Sequence, residues 1–354
     1  MASKQKGNVD IAAVAKAAKV SPSTVSRTFN HPGLVSPATR KKINRAVQKL
    51  GYIRNRAAQT MHGKRSATIG LVVPTINHAI FAEVIQAFSD SIGKEGFSLL
   101  LASHGYDLDR EYAMVRKFLE HRVDGVALIG LEHSDATARL IAQQEIPAMA
   151  IWNYAEDAAW PCVGADNRQA GRMAAEHLLA LGHRDIGLIF PDTHGNDRAR
   201  HRLSAVLETL EAAGITVPQA RKSEAPYSVA QAKQAALDLL AGPSRPTALL
   251  CGNDVIAQGA LFGAQKRGLK VPQELSVMGI GDFNGSADIE PGLSTVRIPA
   301  ETIGTLAGAQ FTRFITSDAP EPFRLCCDLE QIIRGTTGPA QAASLSRAGR
   351  WKGR

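Results

Sequence analysis

Two periods of hydrophobicity run along this chain, and the point where one replaces the other divides it into a small helical head and a large layered body. In "DIAAVAKAA" the apolar residues Ile11, Val14, Ala15 and Ala18 fall at i, i+3, i+4 and i+7, one face of a helix, with Asp10 placed to cap it. "SPSTVSRTFN" puts Ser21 at a cap, Pro22 at the first helical position, and Val25 and Phe29 four apart on one face. "SPATRKKINRAVQKLG" repeats the device: Ser36 caps, Pro37 begins, Ile43, Val47 and Leu50 face inward, and Gly51 ends the helix in a left-handed cap. The pattern predicts three short helices in one compact unit. A helix, a tight turn and a second helix, with Ala15 at the crossing and Val25 inside, is the helix-turn-helix arrangement, whose second helix enters the DNA major groove. Its outward face carries Ser23, Thr24, Ser26, Arg27 and Asn30 and no acid. Hydroxyls and amides suit phosphate oxygens and base edges, and an Arg can grip guanine O6 and N7 together. The turn position commonly filled by glycine is Lys19. A left-handed backbone there costs about 1 kcal/mol, so neighbours must hold the turn or it must take another shape.

From residue 66 the period changes to short apolar runs alternating with amphipathic stretches, the signature of parallel α/β layers. "ATIGLVVP", "FSLLLAS", "DGVALIG" and "IPAMAIW" read as buried strands, with helices near 79–95, 109–121 and 134–144, making one lobe. "RDIGLIFP", a segment near 220–226, "PTALLCG" and "LSVMGIG", with helices near 167–181, 198–213, 228–241 and 254–267, make a second. "LSTVRIP" and a helix over 300–316 are expected to return to the first lobe, and "RLCCDLEQIIRGTT" to supply final strands. The predicted fold is an all-α helix-turn-helix head on an α/β core of two doubly wound lobes. The expected divisions are a head at 1–53, a linker at 54–64 and a core at 65–338, with lobe 1 at 65–163 plus 294–330 and lobe 2 at 164–293. The small, polar, basic end at 339–354 is expected to be disordered. Ligands of such sheets lie beyond the carboxyl ends of strands, between lobes.

Composition changes this picture mainly through charge. Residues 1–65 hold 14 Lys and Arg against the single acid Asp10, a net of +13, and the other 289 residues hold 27 against 32, a net of −5. A basic head with apolar periodicity on a mildly acidic body points to a polyanion partner for the head alone. No run of 18 apolar residues appears and "MASKQKGNVD" has no signal-peptide stretch, so no membrane partner is expected and the protein is expected in the cytoplasm. Cys162, Cys251, Cys326 and Cys327 share no metal-ligand spacing and read as buried reduced thiols. No metal and no cofactor are expected.

The segment "VAKAAKVSPSTVSRTFNHPGLVSPATRKKINRAVQKLGYIRNRAA" resembles the DNA-binding head of the LacI/GalR family of bacterial transcription regulators, through its V-S-x-x-T-V-S-R core and later G-Y-x-x-N. The resemblance implies base reading by Pro22, Ser23 and Arg27. It assigns phosphate contacts to Ser21, Thr24, Ser26, Asn30, Ser36, Thr39, Tyr52 and Asn55. It also implies a hinge helix over Asn55–Met61 that enters the minor groove, with Met61 wedging between base pairs; two such segments of a dimer are expected to pack through Ala57 and Ala58. Seven residues are too few for a helix stable by itself in water, so the hinge is expected to fold only on DNA. Arg54 stands where the family usually has Pro.

The body resembles the periplasmic-binding-protein-like core of the same family, on "RVDGVALIG", "DNRQAG", "LLALGHRDIGLI", "CGNDVIAQGAL" and "EPGLSTVRIP". The resemblance implies effector contacts from Phe81 as a wall, from Arg202, where the family keeps an Arg that binds effector hydroxyls or carboxylates in a fork, and from the pair Asn253 and Asp254. Trp152 at the end of the fourth strand reads as a second wall, with lobe core the other reading for it and for Phe81. Arg198 one turn before Arg202 adds positive charge, and Asp282 is a further candidate. "GIGDFNG" is a poor dinucleotide fingerprint: it has an extra residue and no clean helix after it. Gly281 occupies the position where many relatives have an acid that meets a sugar hydroxyl, with Asp282 one step later, which with the extra arginines favours an anionic effector. "LLLASHGYDLDREY" and the "GIGDFNG" region are similar to gluconate-type members, so gluconate or a related sugar acid is the leading effector, with a neutral sugar or a purine as the alternative. His104 could meet the carboxylate or be a surface histidine.

No nucleophile elbow, P-loop, metal spacing or paired carboxylates appear, which speaks against an enzyme. An exported solute-binding protein would need the missing signal. The expected function is effector-controlled repression by a homodimer on a near-palindromic operator, with a tetramer left open.

Overall fold

The computed structural model describes residues 9–53, 65–242 and 244–341, and its chain divides into two compact units, one up to Ser66 and one from Ala67.

In the head, α1 (Ile11–Ala18), α2 (Pro22–Asn30) and α3 (Pro37–Leu50) start as the capping residues dictate. Asp10, Ser21 and Ser36 each accept a backbone N–H of the first turn through their side chains, and Gly51 closes α3 at φ 65. Val14, Ala15, Ala18, Val25, Ile43 and Ala46 form the core, with Phe29 and Tyr52 packed on it at a ring separation of 6.3 Å. Lys19 does adopt the left-handed conformation, φ 54 and ψ 47. The turn is held by its neighbours: Lys19 N–H bonds the Lys16 carbonyl at 3.3 Å and Val20 N–H bonds the Ala15 carbonyl at 3.0 Å.

The body contains two six-stranded sheets. The first, in the order β11-β5-β4-β3-β1-β2, consists of β1 (Thr68–Val73), β2 (Ser98–Ser103), β3 (Gly125–Ile129), β4 (Ala148–Asn153), β5 (Cys162–Ala165) and β11 (Arg324–Cys326). Around it lie α4 (Ala79–Lys94), α5 (Leu108–Glu120), α6 (Asp135–Gln143) and α11 (Ala300–Thr316). The second sheet, in the order β12-β10-β9-β8-β6-β7, consists of β6 (Ile186–Phe190), β7 (Lys222–Glu224), β8 (Ala248–Cys251), β9 (Ser276–Gly281), β10 (Ser294–Arg297) and β12 (Glu330–Ile332). Its helices are α7 (Asn167–Ala180), α8 (Asp197–Ala212), α9 (Val229–Leu239) and α10 (Asp254–Lys266). Strand pairing is parallel except for β10 with β12.

Three sequence expectations change here. The chain pattern places β10 in lobe 1, but it pairs in parallel with β9, Val296 beside Ile280, and so belongs to lobe 2; the return to lobe 1 begins with α11, where Gly304 and Gly308 let it lie closely on α4, and continues to β11. β5, four residues long, was not anticipated and extends the first sheet. β2 is not a buried strand: it forms the sheet edge, with Leu101 38% exposed. The chain therefore crosses between lobes three times, after β5, after β10 and between β11 and β12. Among the described residues no helix is long and apolar enough to cross a membrane.

Candidate functional site

The head presents hydroxyls at two helix starts. Ser21 Oγ lies 2.7 Å from Ser23 Oγ and 2.8 Å from Thr24 Oγ1, and Ser36 Oγ donates to Thr39 Oγ1 at 2.9 Å. Both clusters sit where helix N-termini favour a phosphate. Along the exposed face of α2, Pro22, Ser23 and Arg27 are exposed, Arg27 forms no ion pair among the described residues, and Asn30 Nδ2 donates to Ser26 Oγ at 3.1 Å. Tyr52 is half-buried against Phe29. The positions expected in the hinge, Asn55, Ala58 and Met61, lie outside the described residues.

Between the lobes, α8 begins at the cleft. Its N-cap Asn196 places Asp197 and Arg198 on the first turn and Arg202 on the second, all buried. Asp197 Oδ1 accepts from Arg198 Nη1 at 2.9 Å, while its Oδ2 reaches lobe 1, accepting from Leu131 N–H and Asn153 Nδ2 at 2.7 Å each. Burial alone would raise this carboxyl, but Arg198 and the backbone donors outweigh it and hold Asp197 below the ordinary carboxylate range. Arg198 Nη1 also faces the Ile129 carbonyl at 3.4 Å, and its guanidinium lies 5.9 Å from the Tyr106 ring centre. Gly130 makes this approach possible: at φ 97, a Cβ there would meet Asp197 Oδ1 at 3.0 Å and press on Arg198. Nearby, Arg200 pairs with Glu132 of lobe 1 at 2.8 Å.

Arg202 donates through Nε to Asn167 Oδ1 at 2.7 Å and through Nη1 to the Gly252 carbonyl at 3.0 Å. It forms no ion pair among the described residues, and burial lowers its pKa. Asn167 in turn donates to Asn153 Oδ1 at 3.2 Å, joining Arg202 to the Asp197 network. Gly171 of α7 is needed for this placement, since a Cβ there would run into the Arg202 carbonyl.

Phe81 and Trp152 meet edge to face at 5.9 Å, both buried, and Trp152 sits at φ 85, a left-handed conformation rare for a bulky residue. His78 stacks on Phe81 at 6.2 Å and meets Tyr227 of lobe 2 edge-on at 5.0 Å, and Tyr227 lies 5.9 Å from Tyr106. His104 is buried, not a surface histidine. Burial lowers its pKa, its Nδ1 lies 3.3 Å from the Asp107 carbonyl, and its Nε2 has no hydrogen-bond partner among the described residues.

Three expected effector residues are engaged elsewhere. Asn253 caps α10, its Oδ1 accepting from Ile256 N–H at 3.0 Å. Asp254 is bound within lobe 2. Its oxygens accept from Thr295 Oγ1 at 2.6 Å, Ser286 Oγ at 2.7 Å and Phe283 N–H at 3.1 Å, and burial raises its pKa despite these donors. Asp282 is held by Arg297 at 2.8 Å and Arg334 at 2.7 Å on the β10 side; burial raises its carboxyl, and the two arginines more than reverse that. Reading along the chain missed Asn153, Asn167, Asp197, Tyr106 and Tyr227. Three of these stood in or beside quoted stretches, in "IWN", "DNRQAG" and "HGYD", but their partners are on other elements. Among the described residues no group of three or more His, Cys, Asp or Glu is arranged to hold a metal ion.

Residues 10–55 match the family of bacterial regulatory proteins, lacI family, and residues 175–337 match a periplasmic binding protein-like domain. The chain is 30% identical to the HTH-type transcriptional regulator GntR of Pseudomonas aeruginosa over 325 residues, 92% of this chain and 94% of that protein. It is 29% identical to the HTH-type transcriptional repressor PurR of Escherichia coli over 311 residues, 87% and 91% of the two chains. The crystal structure of the lac repressor dimer bound to operator and the anti-inducer ONPF superposes with a TM-score of 0.82 at 26% identity, covering 93% of this chain and 99% of that one.

Proposed function

The chain belongs to the LacI family of bacterial regulatory proteins, and from that membership we propose a repressor whose grip on its operator is set by a sugar acid, gluconate or a close relative, bound between the lobes. It is a DNA-binding transcriptional regulator with an effector-binding domain. The observation that carries the finer reading is Arg202, a buried guanidinium with no ion pair among the described residues, one turn from Arg198, whose carboxylate partner is Asp197. Asp197 pairs with Arg198, buried Asp254 acts on Arg202 without forming an ion pair with it, and a fork of N–H donors fits a carboxylate. The 30% identical relative named GntR agrees with a gluconate-type effector.

Pro22, Ser23 and Arg27 read bases, while Ser21, Thr24, Ser26, Asn30, Ser36, Thr39, Tyr52 and Asn55 hold phosphates. Ala58 and Met61 act in the minor groove in a hinge that folds on DNA. Two copies bind a near-palindromic operator. Effector binding alters the lobe geometry and, through it, the spacing of the two heads, a coupling of about 1–3 kcal/mol. The cleft binds without turning its ligand over.

A thermal-shift panel on the full chain tests this: aldonates, ketoaldonates, uronates, neutral sugars and purines. A ligand at one hundred times its Kd stabilises by about 2.7 kcal/mol. Stabilisation by acids and not by their neutral counterparts is expected; stabilisation by neutral sugars or purines alone refutes the acid.

A further inference from the structure

Beside the bridge between the lobes lies a second buried pair, which none of the expected effector contacts includes. Glu111 of α5 is 1% exposed, and both of its carboxylate oxygens lie 3.1 Å from His133 Nδ1. The other ring nitrogen, Nε2, lies 3.2 Å from the Gly130 carbonyl. A carbonyl only accepts, so Nε2 carries a proton; the carboxylate facing Nδ1 needs a second proton between them, held by the ring or by the acid. The pair is complete only with both in place. The Trp160 ring, stacked on the imidazole at 5.0 Å and 26°, favours the charged ring. His133 also lines a cavity of 310 Å³ together with Trp160 and the exposed Asp157, which gives the proton a path to solvent.

What this pair holds is the loop after β3. Gly130 leaves room for Asp197 and Arg198, the Leu131 N–H donates to Asp197 at 2.7 Å, and Glu132 pairs with Arg200 at 2.8 Å. Three successive residues of lobe 1 thus meet α8 of lobe 2, and the fourth, His133, ties the loop back to Gly130 and down to α5. We propose that the proton shared by His133 and Glu111 is a switch on lobe closure: with it the loop is braced and the lobes stay bridged, and without it the bridge loosens. When that proton leaves, the carboxylate faces a nitrogen lone pair if Nε2 keeps its hydrogen, and the Gly130 carbonyl faces one if Nδ1 does, so one of the two bonds is lost either way. Closure is therefore favoured on the acid side and weakened as the pH rises. Other charges surround the pair. His104, in the β2–α5 turn, also senses Glu111 and lies near Arg198 of α8, and burial favours its neutral ring. Asp157 adds a carboxylate from the loop before β5, and Glu132 with Arg200 adds an ion pair that reaches α8. The inference does not depend on which effector the cleft takes.

The full-length protein without effector, followed from about pH 5.5 to about pH 9, tests this with two readouts. Trp160 emission, isolated by difference against Trp160→Phe, reports the charge on His133, because an imidazolium quenches an indole more strongly than the neutral ring does. Hydrogen exchange at the Leu131 amide, corrected for its intrinsic pH dependence, reports the bond to Asp197. As the pH rises, emission should increase and Leu131 protection should fall about tenfold or more, both through one midpoint. Glu111→Gln should move that midpoint down by about one pH unit or more, and His133→Gln should make both readouts flat. The wild-type curves decide the matter even if neither variant folds. Emission that titrates while protection stays constant, an equal fall of protection in His133→Gln, a midpoint unmoved in Glu111→Gln, or no transition in either readout overturns the switch.

Discussion

Asp197 of lobe 2 and Asn153 of lobe 1 are joined across the cleft, the Asn153 amide donating to Asp197 Oδ2 at 2.7 Å beside the Leu131 N–H at the same distance. One carboxylate thus neutralises Arg198 with one oxygen and ties the lobes together with the other. Any ligand that draws Arg198 away from Asp197 therefore acts on lobe closure through the same group, which is how binding chemistry becomes a change of shape.

Asp197→Ala should be among the more destabilising single changes in the core, about 3 kcal/mol, because it leaves the buried Arg198 guanidinium without its carboxylate. The pH dependence has a definite sign. The folded-state carboxyl titrates below the free value of about 3.9, so its contribution is present above that pH and is lost as the pH falls through the depressed value. Urea midpoints of wild type and variant should differ at pH 7 and converge below about pH 4. A constant gap down to acid pH would show that ionisation of Asp197 is not the source.

Arg202→Met separates binding from folding. Arg202 makes two hydrogen bonds but no ion pair among the described residues, and its charge is buried at a desolvation cost, so an apolar side chain of similar length should shift the melting temperature by only a few degrees. Acid-effector affinity should fall about 100-fold, and Arg202→Lys should not restore it, since a point charge lacks the fork. Equal falls for acids and neutral sugars would mean that Arg202 shapes the pocket without recognising charge.

Lys19 holds a left-handed conformation at φ 54 that glycine adopts freely. Lys19→Gly should stabilise the head by about 0.5–1 kcal/mol, read as greater hydrogen-exchange protection of α1 and α3 amides in the full chain. Unchanged protection would place the turn's stability in the bonds of Lys19 and Val20 to the preceding turn.

On DNA, a dimer neutralising about ten phosphates should show a slope of log affinity on log salt of about −9. Arg27→Ala should cost about 1–3 kcal/mol and relax preference at one base pair, and Met61→Gly should weaken operator binding through loss of the minor-groove wedge. Fluorescence anisotropy across a salt series and a panel of single-base operator variants measures all three. A flat salt response removes the electrostatic account, and equal operator affinity for Met61→Gly removes the wedge.

What was legible in the chain was local. Asp10, Ser21, Ser36 and Gly51 announce helix ends because a cap is satisfied within three or four residues, and the apolar runs of β1, β3, β6 and β8 read as strands because both faces are buried. The lobe membership of β10 is decided by its pairing with β9 and by the Thr295 bond to Asp254, neither of which has a sequence signal. The position of Asp254 could be read from the chain but not the direction of its carboxylate, which three donors from distant segments fix. Asp197 shows the same limit from the other side, an ordinary acid at a helix start whose partners Leu131 and Asn153 lie 66 and 44 residues away.

Gly130 gives the last prediction. It follows β3 at φ 97, where an L side chain is strained, and a Cβ would meet Asp197 Oδ1 at 3.0 Å and press on Arg198 Nη1. Because neither group can move without losing the contact to Leu131 or Ile129, Gly130→Ala should push the start of α8 away from lobe 1. The expected result is a more open cleft: a radius of gyration in small-angle scattering that is larger than wild type, and acid-effector affinity reduced about tenfold or more. Operator affinity in the absence of effector then reports which lobe geometry the heads require. A fall means that the closed lobes favour DNA, and a rise means that the open ones do. Wild-type effector affinity together with wild-type dimensions would show that the lobes tolerate the extra methyl and that the Asp197 bridge does not set their spacing.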